Sequence, residues 1–424
     1  MDRIAERPQK RRGLAVAQPA AANEPGTCAY HCFDARPTVD GVRSTASALQ
    51  GQQLLNVNDR PIRVFRTGFR ALRAVLAVAL AACAMQVLSA PFPDPVEGDV
   101  VIRDFRFADG QVLPELKLHY RTLGTPKRDA AGRMSNAVLV LHGTGGSGAS
   151  LMTDGFAGEL FGRGQPLDAT RYFIVIPDNV GHGESSKPSD GLRARFPRYG
   201  YRDMLKAQRA LVDALGVDHL RLVLGTSMGG MHGWMWAVEY PDFMDAMLPL
   251  VCLPTQVSGR NRMERSLMVD AIRNDPQWNG GNYTKPPQGL RTALKMALIT
   301  GSSARQLYER APSLAETDRL LAEWIAQRIE TTDANDFLYA WDASGDYDPA
   351  PGLEQIRAQV TAVNFADDSR DPPELGILEK ELARVPGGFA VTIPAGPRTR
   401  GHISFMDARL WLPYLQELLA RSAR

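Results

Sequence analysis

The stretch VLGTSMGGMHGW, Val223 to Trp234, sets Ser227 between Gly225 and Gly229 at the spacing G-x-S-x-G. A serine hydroxyl is a weak nucleophile at its own pKa and works only when an adjacent base takes its proton and an acid orients that base. On a sharp strand-to-helix turn such a serine also needs small neighbours, because the backbone there is crowded. The apolar run LRLVLG supplies a strand before Ser227 and MGGMHGWMWAVEY a helix after it, so Ser227 is read as a nucleophile.

A nucleophile in this setting is followed along the chain by an Asp or Glu and then a His. Beyond Ser227 the histidines are His232 and His402. His232 falls on the serine's own helix and reads as a packed or surface residue, whereas His402, in TRGHISF after the last strand-like run, is the expected base. The acid belongs just past a strand between the two, where VNFADDSRDPPE offers Asp367, Asp368 and Asp371. Asp368 is the choice, because Pro372 follows it at the usual spacing for such a loop and Asp367 lies nearer the strand body. Asp367 is the second candidate, with loop capping as its other role.

Acyl transfer also requires donors for the developing oxyanion, each worth about 3 to 4 kcal/mol of the barrier. The expected donors are the backbone N–H groups of Met228, the residue after the serine, and of Thr144 in the loop HGTGGSG. His142 is then structural. The same loop supports a rival class, since Gly143 to Gly148 fit G-x-G-x-x-G after a strand, with Asp168 about twenty residues on, as a dinucleotide site would require. Nothing further along the chain supports a nicotinamide enzyme, and no cofactor is expected. No zinc-type Cys/His spacing occurs.

These residues must be positioned by alternating strands and helices. VVIRDFRF and LPELKLHYRTLG read as an antiparallel pair, and NAVLVLHG, RYFIVIPDN, LRLVLG, AMLPLVCLP, QVTAVNFAD and FAVTIPAG as buried strands. Between them lie helical patterns such as YRDMLKAQRALVDALGV. The expectation is an α/β fold with a mostly parallel sheet covered by helices on both faces. The alternation stops near Pro254 and resumes near Leu353, so residues 91–254 and 353–424 are expected to form one core and residues 255–352 an inserted helical cap.

Hydrophobic residues make up 44% and charged residues 23% of the 424, which is globular composition. The formal charge is +2; residues 1–90 carry 12 Lys/Arg and 6 Asp/Glu, leaving 37 and 41, or −4, for the rest. That balance excludes the electrostatic footprint of a nucleic-acid binder. Residues 1–60 show no sustained period and read as a disordered extension. Within residues 61–90, Arg63, Arg66, Arg70 and Arg73 precede AVLAVALAA, a basic and apolar pairing like that of a secretory signal and too short to span a membrane. LAAC, ending at Cys83, resembles a lipoprotein lipobox, which implies a membrane tether through Cys83. The expected location is therefore periplasmic or lipid-anchored, with a cytoplasmic enzyme as the alternative. Loss of Cys28 and Cys32 with the signal would leave no disulfide framework.

With the motifs assembled, the chain from about Val100 resembles the α/β-hydrolase superfamily and, within it, the homoserine O-acetyltransferase family. The likeness is carried by GTSMGGMHGWMWAVEYPDFMD, AIRNDPQWNGGNY, PPQGL, ADDSRDPP and GHISF. It implies Ser227 as nucleophile, Asp368 as acid and His402 as base. The family's cap usually continues G-L-x-x-A-R, where the arginine helps hold the acceptor amino acid, with a Thr-Tyr pair later. Here those positions hold Leu294 and Thr300-Gly301. A leucine cannot pair with an acceptor carboxylate. Arg291 and Lys295 are near in sequence but not in the same helical phase; Lys295 is the one expected to reach, and Arg291 faces elsewhere. HGTGG and DNVGHGESSKP resemble ordinary hydrolases, and an exported protein would meet no acetyl-CoA. The expected function is a serine hydrolase acting on a small acyl substrate such as an ester. Acyl transfer to a small hydroxyl acceptor is the alternative, and a non-catalytic binding relative is a remote one.

Overall fold

The computed structural model describes residues 92–423. The extension 1–60, the signal-like segment and Cys83 lie outside the described residues.

Eight strands form one sheet in the order β1-β2-β4-β3-β5-β6-β7-β8. They are β1 (Val96–Arg106), β2 (Val112–Leu123), β3 (Ala137–Leu141), β4 (Phe173–Pro177), β5 (Leu222–Thr226), β6 (Ala246–Leu250), β7 (Gln359–Phe365) and β8 (Gly388–Ile393). β2 runs antiparallel to β1 and β4, and every other pairing is parallel. The opening pair and the six apolar runs of the sequence thus become the strands they were read as.

Side chains of the central strands alternate between two apolar layers, as a period of two requires. In β3, Leu139 and Leu141 face one layer and Val138 and Val140 the other. The first layer is completed by α1 (Tyr201–Ala214) and α2 (Met228–Glu239), the second by residues 151–167 and by α9 (Leu412–Arg421) with Trp411. Each large side chain so withdrawn from water stabilises the fold by about 1.5–3 kcal/mol.

Parallel pairing places the carboxyl ends of β3 and β5 side by side, with those of β6, β7 and β8 following. Loops leaving these ends therefore share one edge, where ligands bind in open α/β sheets.

Between β6 and β7 lie five helices: α3 (Gly259–Arg273), α4 (Gln288–Gly301), α5 (Ala304–Arg310), α6 (Leu314–Arg328) and α7 (Ala334–Asp342). Local chemistry sets their starts. Ser313 and Glu316 make a reciprocal capping box on α6, and Asp333 accepts from the N–H groups of Asn335 and Asp336 to open α7. α8 (Ile377–Leu382) joins β7 to β8.

Candidate active site

Ser227 sits between the end of β5 and the start of α2 with φ 52° and ψ −114°. A non-glycine residue held there costs about 1–3 kcal/mol and needs a surrounding frame that fixes it. The Ser227 N–H donates to Leu250 O at 2.8 Å. The glycines at either side are required by packing: an added Cβ on Gly225 would lie 2.1 Å from Gly229 O, and one on Gly229 would lie 2.1 Å from Leu141 O. No side chain fits at that distance, so G-x-S-x-G is a demand of this turn.

The loops after β7 and β8 bring the other two predicted residues to the serine. His402 Nε2 lies 2.8 Å from Ser227 Oγ, and His402 Nδ1 lies 2.7 Å from Asp368 Oδ2. All three are buried, with Asp368 1% exposed. Burial disfavours the Asp368 charge, but the His402 charge and hydrogen bond and the N–H of Arg370 outweigh it and hold the carboxyl below its usual range. An ionised Asp368 accepts from Nδ1–H, which leaves the Nε2 lone pair for the serine proton. Asp367, the second candidate acid, instead caps the base loop: its Oδ2 accepts from Thr399 Oγ1 at 2.8 Å and Gly401 N at 3.2 Å.

The segment Gly143–Thr144 lies against Ser227, since a Cβ on Gly143 would sit 3.4 Å from Ser227 Cβ. Met228 is the first residue of α2, where the N–H has no intrahelical acceptor. Behind this segment is a buried polar chain. His142 Nδ1 donates to Gly143 O at 2.9 Å while its Nε2 accepts from Asn179 N at 3.1 Å. His182 Nε2 lies 3.0 Å from Thr144 O. Gln208 bridges Asn179 to His232, whose ring packs edge-on against Tyr201. Burial, followed by the nearby His182, pushes His142 down to about 3, and burial pushes His232 well down. These histidines stay neutral and serve as framework. The sequence alone assigns His182 no role, since its phrase GHGES lies far along the chain from Thr144.

The insertion between β6 and β7 reaches the same edge. Ser303 N, just past α4, donates to Arg400 O at 3.2 Å, beside the histidine. Leu294 is 4% exposed, and its carbonyl accepts from Trp324 Nε1 at 3.0 Å. Arg291 and Lys295 line an open groove against α6 with Asp318 and Ile325, so Lys295 is no substitute for the missing arginine. A buried guanidinium that does reach α4, that of Arg370, is engaged by Glu264 at 3.4 Å and by the Thr300 hydroxyl.

The rival motif dissolves in the structure. Gly148 begins a single turn instead of a long helix, and Asp168 closes a local turn through Gly164 N and Thr170. Asp368, Asp371 and His402 do bring ligand-type atoms within 4.8 Å of one another. Both ring nitrogens of His402 are already engaged, an arrangement made for proton transfer.

Comparison with known proteins places the chain among relatives with this architecture. Residues 136–387 match the alpha/beta hydrolase fold family model. The homoserine O-acetyltransferase of Haemophilus influenzae is 30% identical over 329 residues, covering 70% of this chain and 90% of that one. Among solved structures, the homoserine O-acetyltransferase of Bacillus anthracis superposes with TM-score 0.68 at 23% identity, covering 77% of this chain and 98% of that one. An acetylester hydrolase from Corynebacterium glutamicum gives TM-score 0.65 at 23% identity, covering 77% and 96%. The chain is an enzyme that belongs to the α/β-hydrolase fold family and resembles, within it, the homoserine O-acetyltransferases.

Proposed function

We propose that this enzyme is a serine hydrolase that cleaves an ester or related small acyl compound through an acyl-enzyme. The carrying observation is the line from Ser227 Oγ through His402 to Asp368, at 2.8 and 2.7 Å. His402 Nε2 takes the serine proton as Oγ attacks the carbonyl carbon, and the N–H groups of Met228 and Thr144 receive the oxyanion. The proton passes to the leaving group, and a water activated by His402 then releases the acid.

Hydrolysis is preferred to transfer because Leu294 leaves no cation at the position where the acetyltransferases resembled by this chain carry an arginine. An acceptor carboxylate there would be buried without a partner. The competing reading, acyl transfer to a small hydroxyl acceptor, is supported by the name of the Haemophilus influenzae relative. The acetylester hydrolase among the structural neighbours supports hydrolysis. Export through residues 61–90, with Cys83 as a lipid tether, belongs to the same proposal and rests on the sequence alone.

The protein beginning near residue 91 should release p-nitrophenol from short-chain esters, and Ser227→Ala should lower that rate by about 10⁴-fold or more. Inert esters together with acetyl-CoA consumption that depends on added homoserine would overturn hydrolysis in favour of transfer.

A further inference from the structure

The acid loop carries a second carboxyl group that the triad does not use. Asp371 is 3% exposed, and its Oδ2 lies 3.9 Å from His402 Nδ1 with no hydrogen-bond partner. Its other oxygen is fixed by Asn261 Nδ2 of α3 at 3.1 Å, and Asn261 is in turn held by Arg265 Nε at 3.0 Å. A carboxyl group kept for structure alone would be expected to pair with the guanidinium of its own loop. Arg370 is instead turned to Glu264 and Thr300.

We propose that Asp371 is a positioning residue of this triad: its free oxygen, aimed at the Nδ1 edge of His402 by Asn261, sets a second negative charge against the imidazolium that forms during acylation. The proton balance is simple. Ser227 Oγ–H gives its proton to His402 Nε2, Nδ1–H stays hydrogen-bonded to Asp368 Oδ2, and Asp371 neither gains nor loses a proton in that step. The contribution is electrostatic, and it exists only while Asp371 is ionised.

The titratable and charged groups around Asp371 are Asp368 and Arg370 of its own loop, His402, Cys252 and Tyr347, and, from α3, Arg260, which lines the same pocket, with Glu264 and Arg265, which engage Arg370 and Asn261. Burial and the Asp368 charge push Asp371 up to about 6, against the pull of His402, Asn261 and Arg370. Cys252 and Tyr347 are both pushed up by burial and stay neutral. The second charge is therefore present at neutral pH and lost in mild acid, where Asp371 takes up a proton while Asp368, held below its usual range, stays ionised.

This proposal rests on Ser227, His402 and Asp368 acting as a triad, and the test separates the two. The rate of Ser227 labelling by a fluorophosphonate is measured against pH in the wild type and in Asp371→Asn and Asp371→Ser. The expected result is an acid limb displaced downward by about one pH unit in both variants, with the carboxylate variant Asp371→Glu returning toward the wild type. Superimposable limbs in folded variants overturn the role of Asp371 and leave the triad standing. Absence of any labelling in the wild type overturns the triad itself. In the wild type alone, the His402 ring nitrogens followed by NMR should show two titration steps, and a single step overturns the proposal whether or not a variant folds.

Discussion

Three aspartates within five residues do three different jobs, and their surroundings assign them. Asp368 meets His402 Nδ1 directly, so Asp368→Ala should lower kcat for an ester by about 10⁴-fold. Asp367 acts one step away, through Thr399 and the Gly401 N–H. Asp367→Ala should cost only about 10-fold in kcat, because the loop loosens while the acid stays in place. Comparable losses from both variants would contradict this division. Asp371 also carries a stability signature independent of its catalytic role. Its folded-state pKa is raised to about 6 from 3.8. Between those values the folded chain binds a proton that the unfolded chain has released, so stability falls as pH rises through the window. Asp371→Asn should remove that slope and melt a few degrees above the wild type at pH 8, while below about pH 4 the two should coincide.

At the scale of elements, the turn from β5 into α2 decides which serine is set in the strained, glycine-flanked conformation. Ser227 holds φ 52° because β6 takes its N–H and the two glycines let the strand, the helix and β3 close around it. Glycine adopts that conformation without strain. Ser227→Gly should therefore melt above Ser227→Ala by about 1 kcal/mol, although both are inactive, and equal melting would mean that the turn is unstrained. Gly229→Ala should fail to give folded protein, since its Cβ would overlap a β3 carbonyl. These features were legible in the sequence because strand period, small flanks and chain order are local signals. The same holds for His402 in the loop after β8 and for Asp368 beyond β7. What escaped was the buried polar framework. Nothing near His182 in the chain announces that its ring meets Thr144 O, and Asp371 looked equivalent to its neighbours until Asn261 arrived from α3. Lys295 is near enough in the chain to be expected at the acceptor position, yet it lines a groove against α6 instead. Partners contributed by distant elements are fixed by tertiary packing, which periodicity does not encode.

Across the whole molecule, the cap must be held in register with the core, because Ser303 touches the histidine loop and Asn261 fixes Asp371. Among the side chains that make that connection are two carboxylates. Asp336 of α7 accepts from Ser189 N at 2.9 Å and Ser189 Oγ at 2.6 Å. Asp346, in the strand-bound end of the insertion, accepts from Tyr201 N at 2.8 Å and Arg202 N at 3.0 Å, the first two N–H groups of α1. A carboxylate there satisfies orphan donors and opposes the positive end of the helix dipole. Gly200 leaves room for it, since a Cβ at that position would sit 2.4 Å from Asp346 Oδ2. Asp346→Ala should therefore cost about 1–2 kcal/mol, seen as a lower melting temperature. Because the lost bonds join insertion to core, limited proteolysis should accelerate first at cap linkers such as residues 311–313 and 329–333, before the sheet is cut. Ester turnover should fall as the cap loosens its hold on the base loop, and fluorophosphonate labelling of Ser227 should fall with it. If melting drops while proteolysis begins in the core and labelling is unchanged, Asp346 is only a helix cap and the register of the cap depends on its apolar packing instead.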